Sequence, residues 1–218
     1  MAKFIQATCT LRSEDIDVAL GGGNTGVTGR FLVYGEPGKG IKINGIINGL
    51  APESYHGFHI HESGNIAGGC TNAGKHFNPT PPKANRDDPE PVPTNHGSPQ
   101  SFRELRHVGD LGNIKAELDG SVHIEIEDTL AKMNEFYGIV GRSIVISANK
   151  DDLGAGIGTS LVDGNSGIPL ACCRITAVQN DFLPSGARCE VEESGKRPKC
   201  GVRNECCGAA VISAAAHT

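Results

Sequence analysis

The chain has 218 residues, with 20 lysines and arginines against 25 aspartates and glutamates, and the resulting net charge of -5 offers no general attraction to nucleic acid or to an anionic membrane. Thirty glycines, 12 prolines, 5% aromatic residues and no tryptophan describe a turn-rich chain with a mostly aliphatic core, which favours an all-β domain carrying an appendage.

The N-terminus, Met1 to Cys9, lacks the apolar core of a secretory signal and no stretch reaches transmembrane length, so a cytoplasmic protein away from membranes is expected. Short apolar or alternating runs bounded by glycine predict strands over Lys3 to Arg12, Val27 to Tyr34 and Ile41 to Ile47. Cys9, inside the first run, reads as a small buried residue. Next comes Gly57-Phe58-His59-Ile60-His61-Glu62. On a strand, residues i and i+2 point to one face, so His59 and His61 can converge on one metal ion.

A long connection, Gly64 to Asn113, carries His76, His96, His107 and Asp110. Within it, Pro79 to Pro93 has a composition that sustains neither strand nor helix and is expected to be a mobile insertion. Val122, Ile124 and Ile126 then alternate with His123, Glu125 and Glu127, the period of a strand with one buried and one wet face. Arg142 to Ser147 and Leu170 to Val178 predict further strands around a second long loop, Lys150 to Ile168. No stretch predicts a helix, so the economical architecture is a two-sheet sandwich or flattened barrel. The alternation ends near Asp181, dividing the chain into a domain over 1–180 and a tail over 181–218 with Cys189, Cys200, Cys206 and Cys207. These four could bind zinc or copper(I), form disulfides or do nothing specific.

Five histidines and one aspartate in ordered spacing form a metal-ligand inventory. Deprotonated imidazole has a nitrogen on each side, which would let His76 serve two ions. Imidazole suits copper and zinc alike, whereas three histidines with an Asp110 oxygen make the closed tetrahedral shell typical of structural zinc.

Five segments together form a specific pattern: Gly57 to Glu62; Gly69-Cys70-Thr71-Asn72-Ala73-Gly74-Lys75-His76-Phe77-Asn78-Pro79; Arg106-His107-Val108-Gly109-Asp110-Leu111-Gly112-Asn113; Asp151-Asp152-Leu153-Gly154; and Gly164-Asn165-Ser166-Gly167. In this order, over roughly Lys3 to Val178, the chain resembles copper/zinc superoxide dismutase. The resemblance implies an eight-stranded Greek-key sandwich, an architecture for which that family is a standing example. It implies an enzyme converting superoxide to dioxygen and hydrogen peroxide, in a homodimer or a heterodimer with a related dismutase. By matching motif, His59, His61 and His76 would bind copper, and His76, His96, His107 and Asp110 would bind zinc. Asp151 would link His59 to His96, fixing their orientation. Cys70 and Cys172 match the family's disulfide, with strand alternation turning neighbouring Cys173 to the other face.

The pattern breaks at two positions. Where the family has a fourth copper-binding histidine, this chain has Ser147, a poor neutral ligand. Where it has an arginine that guides the anion, Pro169 supplies neither charge nor donor, and Gly154 to Gly164 carries only Asp163. Copper binding and catalysis are therefore expected to be weakened. His96 lies beyond a long insertion, yet His96-Gly97-Ser98-Pro99 resembles the family's His-Gly-Gly-Pro. His56, His123 and His217 match no ligand position and read as exposed or hydrogen-bonded residues. The alternative is a non-enzymatic relative, either a zinc-binding pseudoenzyme or a copper-chaperone-like partner of a dismutase.

Overall fold

The structure, a computed structural model, describes residues 5–14, 25–79, 95–101, 105–134 and 137–178. From residue 80 the expected insertion lies outside the described residues, as do the tail with its four cysteines and His217.

The strands are β1 (Ile5–Ser13), β2 (Thr28–Gly35), β3 (Ile41–Asn48), β4 (Tyr55–His61), β5 (Asp110–Lys115), β6 (Val122–Asp128), β7 (Ser143–Ser147), β8 (Pro169–Arg174) and the short β9 (Thr176–Ala177). All pairings are antiparallel, in the order β5-β4-β7-β8-β1-β2-β3-β6, with β9 beside the first half of β1. The end strands β5 and β6 come close, so the eight-stranded sheet is a nearly closed barrel, the all-β architecture expected from the sequence. Closure leaves little open edge for other chains to pair with.

The core follows from strand alternation. In β6, Val122 and Ile124 are buried while His123 and Glu125 are exposed. Ile43 and Ile47 of β3, Val33 of β2 and Ile144 and Ile146 of β7 fill the barrel with Phe31 and Phe58, whose rings meet edge to face at 5.6 Å. The strand expected over Leu170 to Val178 is broken at Ile175 into β8 and β9, and two further elements differ from the expectation. Asp110 to Asn113 belong to β5, not to the loop; β5 is buried on both faces at its start, so it shows no alternation. Residues Ser160–Asp163 form a single helical turn, α1, too short to produce a periodic signal.

Covalent bonds complete the barrel. Cys70, which opens a 3-10 turn over Cys70–Ala73, is joined to Cys172 on β8. Cys9 is buried as expected, but it is also joined to Cys173, tying β1 to β8. The sequence reading missed this second bond because Cys9 and Cys173 are 164 residues apart and share no local motif.

Candidate metal centre

Strand β4 sends Phe58 and Ile60 into the core cluster and His59 and His61 to the opposite side. Gly57 leaves room for this arrangement, since a Cβ there would lie 2.6 Å from His59 Cε1. Beyond β4 the chain folds back on itself: Glu62 N–H donates to Lys75 O, Ser63 N–H to Ala73 O and Phe77 N–H to Ile60 O. This short ladder sets His76 opposite His61.

Asp110 opens β5 directly across from His59. Its Oδ2 accepts backbone N–H groups from Gly97 (3.0 Å) and His107 (2.8 Å), so the carboxylate itself gathers the segments that carry His96 and His107. Its Oδ1 lies 2.8 Å from His76 Nδ1, 2.9 Å from His96 Nδ1 and 3.3 Å from His107 Nδ1. A tetrahedral shell with bonds of ~2 Å has ligand-to-ligand edges of about 3.3 Å, so this set is nearly of the size that a zinc ion requires. Arg106 supports the segment from below. It pairs with buried Asp128 and donates to the carbonyls of His107 and Asp110.

The donor atoms of His59, His61 and His76 also lie within 4.8 Å of one another, so His76 belongs to both groups. Asp151 connects them from behind: its Oδ2 is 2.9 Å from His59 Nε2 and its Oδ1 2.7 Å from His96 Nε2. Asn113 fixes Asp151, donating to its carbonyl and accepting from its N–H. Gly164, at φ 68°, allows the approach, because a Cβ there would collide with Asp151 Oδ1 and His96 Nε2.

These hydrogen bonds set the tautomers. His59 and His96 donate Nε2–H to Asp151, and His61 donates Nδ1–H to Gly74 O at 2.8 Å. The other nitrogen of the neutral His59 and His61 rings is then deprotonated, and His59 Nδ1 and His61 Nε2 are buried without a hydrogen-bond partner, whereas His96 Nδ1 faces Asp110 Oδ1 at 2.9 Å. Unpartnered acceptors that converge in this way fit a metal ion in the His59, His61 and His76 group, and three imidazole nitrogens gathered round one carboxylate oxygen fit a second in the other. Protonation agrees. Burial pushes His61 down to about 3 and His76 to about 4 and also lowers His59, keeping all three imidazoles neutral. Asp110 and Asp151 are held well below the usual carboxylate range: burial opposes this, but hydrogen bonds from the histidines outweigh it. His96 is the exception. Burial pushes it down, yet hydrogen bonds to Asp110 and Asp151 carry it up to about 9.

Ser147 and Pro169 line a cavity of about 260 Å³ together with His61 and His76. His56 is buried here, unlike exposed His123, and bonds Ser147 O at 2.9 Å and Ser54 Oγ at 2.6 Å. Three supports escaped the sequence reading: Arg106, Asn113, and Glu14, which accepts the N–H of Cys70 at 2.8 Å. Arg106 and Asn113 stood inside a quoted motif, whereas nothing local pointed to Glu14.

Residues 27–175 match the family model described as copper/zinc superoxide dismutase. The chain is 40% identical over 151 residues to an extracellular Cu-Zn superoxide dismutase of Caenorhabditis elegans, covering 69% of this chain and 62% of that one. It is 40% identical over 156 residues to a Cu-Zn superoxide dismutase of Paramecium bursaria Chlorella virus 1, covering 71% and 74%. With an extracellular Cu-Zn superoxide dismutase of Brugia pahangi it shares 44% over 134 residues, 60% of each chain. The chain thus spans about three fifths of the length of these two nematode relatives. The extracellular names overturn the expected cytoplasmic location. That expectation rested on the N-terminal residues alone, and the two buried disulfides agree with the correction, since such bonds persist in oxidising compartments.

Proposed function

Because the chain belongs to the copper/zinc superoxide dismutase family, we propose that it is a secreted metal-binding relative of these enzymes, with a complete zinc site and a copper site reduced to three histidines. Zinc is assigned to His76, His96, His107 and Asp110, and copper to His59, His61 and His76. Copper bound there would supply the one-electron chemistry that converts superoxide to dioxygen and hydrogen peroxide. Superoxide is the proposed substrate, and a second copy or a related dismutase the proposed partner.

The protein's own contribution is orientation and charge. Asp151 holds the Nε2 side of both His59 and His96, which turns His59 Nδ1 toward His61 and His76 and His96 Nδ1 toward Asp110. Asp110 gathers three histidines around one oxygen. At the mouth, Pro169 contributes no cation to attract the anion, and Ser147 contributes no nitrogen to the copper group. Superoxide turnover is therefore proposed to be slow beside the near-diffusional rate for which superoxide dismutase is a standing example.

The observation that carries this reading is that His76 is shared between two ligand-sized groups, only one of which has four donors. Metal content per chain, with superoxide dismutation assayed after copper loading, tests it. Stoichiometric zinc, partial copper and slow turnover are expected. Zinc with no copper uptake would favour a pseudoenzyme, and full copper with near-diffusional turnover would overturn the impairment.

A further inference from the structure

A second cavity, of about 440 Å³, shares no lining residue with the one beside His61 and His76. Arg106 lines it, although that residue is only 3% exposed. Two nitrogens of the guanidinium are engaged, Nη2 by Asp128 and Nη1 by the carbonyls of His107 and Asp110. The third, Nε, is buried without a hydrogen-bond partner. A buried cationic donor left unmet is costly, so this position calls for an acceptor from outside the chain.

The rest of the wall is also built of donors. Among the described residues no ion pair engages Lys132, whose ammonium donates to Thr129 O at 2.6 Å. Gln100 accepts Ser98 Oγ–H on its amide oxygen, which leaves its NH2 group as a donor. Ser101 and Thr129 add hydroxyls, and among the described residues no carboxylate lines the space. Such a one-sided wall matches an occupant that is all acceptor, which a tetrahedral oxyanion is and a water molecule is not. We propose that this cavity binds a free phosphate-like oxyanion, taken between Arg106 Nε and Lys132 Nζ, with the hydroxyls of Ser101 and Thr129 on its remaining oxygens. The site itself needs no metal. Bound there, the anion would steady the guanidinium that holds the carbonyls of His107 and Asp110, a link to zinc that rests on the zinc assignment proposed above.

The test uses the full chain, loaded with zinc and free of copper, titrated calorimetrically with sodium phosphate at constant ionic strength, with sodium chloride as the comparison. One saturable site per chain is expected. Affinity should fall about tenfold in Lys132→Gln, the loss expected for one charge-assisted contact, and severalfold in Thr129→Val, whose exposed position tolerates the change. It should stay unchanged in Lys75→Gln, which alters only the cavity beside His76. Affinity lost in Lys75→Gln and kept in Lys132→Gln would put the anion in that other cavity and overturn the inference, as would a heat no greater than that of chloride. Phosphate should also slow the release of zinc to a chelator severalfold, and an unchanged rate would overturn the link to zinc. Zinc content before any phosphate is added reads the zinc assignment separately.

Discussion

Ser147 and Pro169 are partners across the β7–β8 ladder, at the point where its register shifts by a bulge. The two departures from the family pattern, 22 positions apart in the chain, are thus neighbours in space, and both face the cavity beside His61 and His76.

Their adjacency allows the two proposed losses, of a copper ligand and of a guiding cation, to be tested in turn. Ser147→His should raise copper per chain toward one equivalent, measured by elemental analysis after dialysis. Adding Pro169→Arg should raise superoxide turnover and make it fall with ionic strength, because a cation at the mouth acts by steering an anion. The effects of neighbours need not add, so the single Pro169→Arg variant completes the cycle.

Asp110→Ala should release zinc and lower the melting temperature. It removes both the anionic ligand and the acceptor for the N–H groups of Gly97 and His107, so the His96 segment loses its anchor as well. Calorimetry with and without added zinc checks this. A variant that kept stoichiometric zinc and melted unchanged would rule out the assigned shell.

Asp151→Asn preserves size but removes the charge that holds His59 and His96, two of the proposed ligands. Affinity for zinc and for copper should each fall by about 10- to 100-fold, the usual cost of losing such a support. Competition with a chelator of known affinity measures both. An effect on one metal alone would show that Asp151 does not act through both His59 and His96.

The metal-free protein should be most stable near pH 6.5. His61 and His76 have pKa values lowered to about 3 and about 4, so the unfolded chain protonates first and stability falls as the pH drops from 6.5 through that range. His96 is raised to about 9, so its contribution is complete below 6.5 and is lost as the pH rises through 9. Melting temperatures of chelator-treated protein at pH 4, 6.5 and 9 should therefore peak in the middle. Zinc should abolish the alkaline decline, since a ligated His96 carries no proton to lose at the liganding nitrogen.

Replacing Cys9 and Cys173 together by serine should destabilise the fold by roughly 2–4 kcal/mol through greater freedom of the unfolded chain, while metal content stays unchanged. Denaturant unfolding and metal analysis separate the two effects. Peptide mapping of the intact protein should show Cys9 joined to Cys173 and Cys70 to Cys172.

Much of this was legible locally. The alternation of Val122 to Glu127 revealed β6, and the spacing of His59 and His61 placed both on one face of a strand. The family pattern pointed to Asp151 as the link between His59 and His96, and the structure places its two oxygens against those two rings. β5 was hidden because a strand buried on both sides carries no period, and its first residue, Asp110, is a charged group that looks like loop. The Cys9–Cys173 bond and the contact of Glu14 with Cys70 arise only when β1 meets β8 and the loop beside it, so no local window contains them.

The neighbouring residues Cys172 and Cys173 are bonded in two directions, one to Cys70 and the other to Cys9. A single backbone cut anywhere between Cys70 and Cys172 therefore leaves one covalent molecule, which migrates as two pieces only after reduction. Pulled from its two ends without a reductant, the chain can pay out only the residues before Cys9 and after Cys173, and everything between them is shielded from the force.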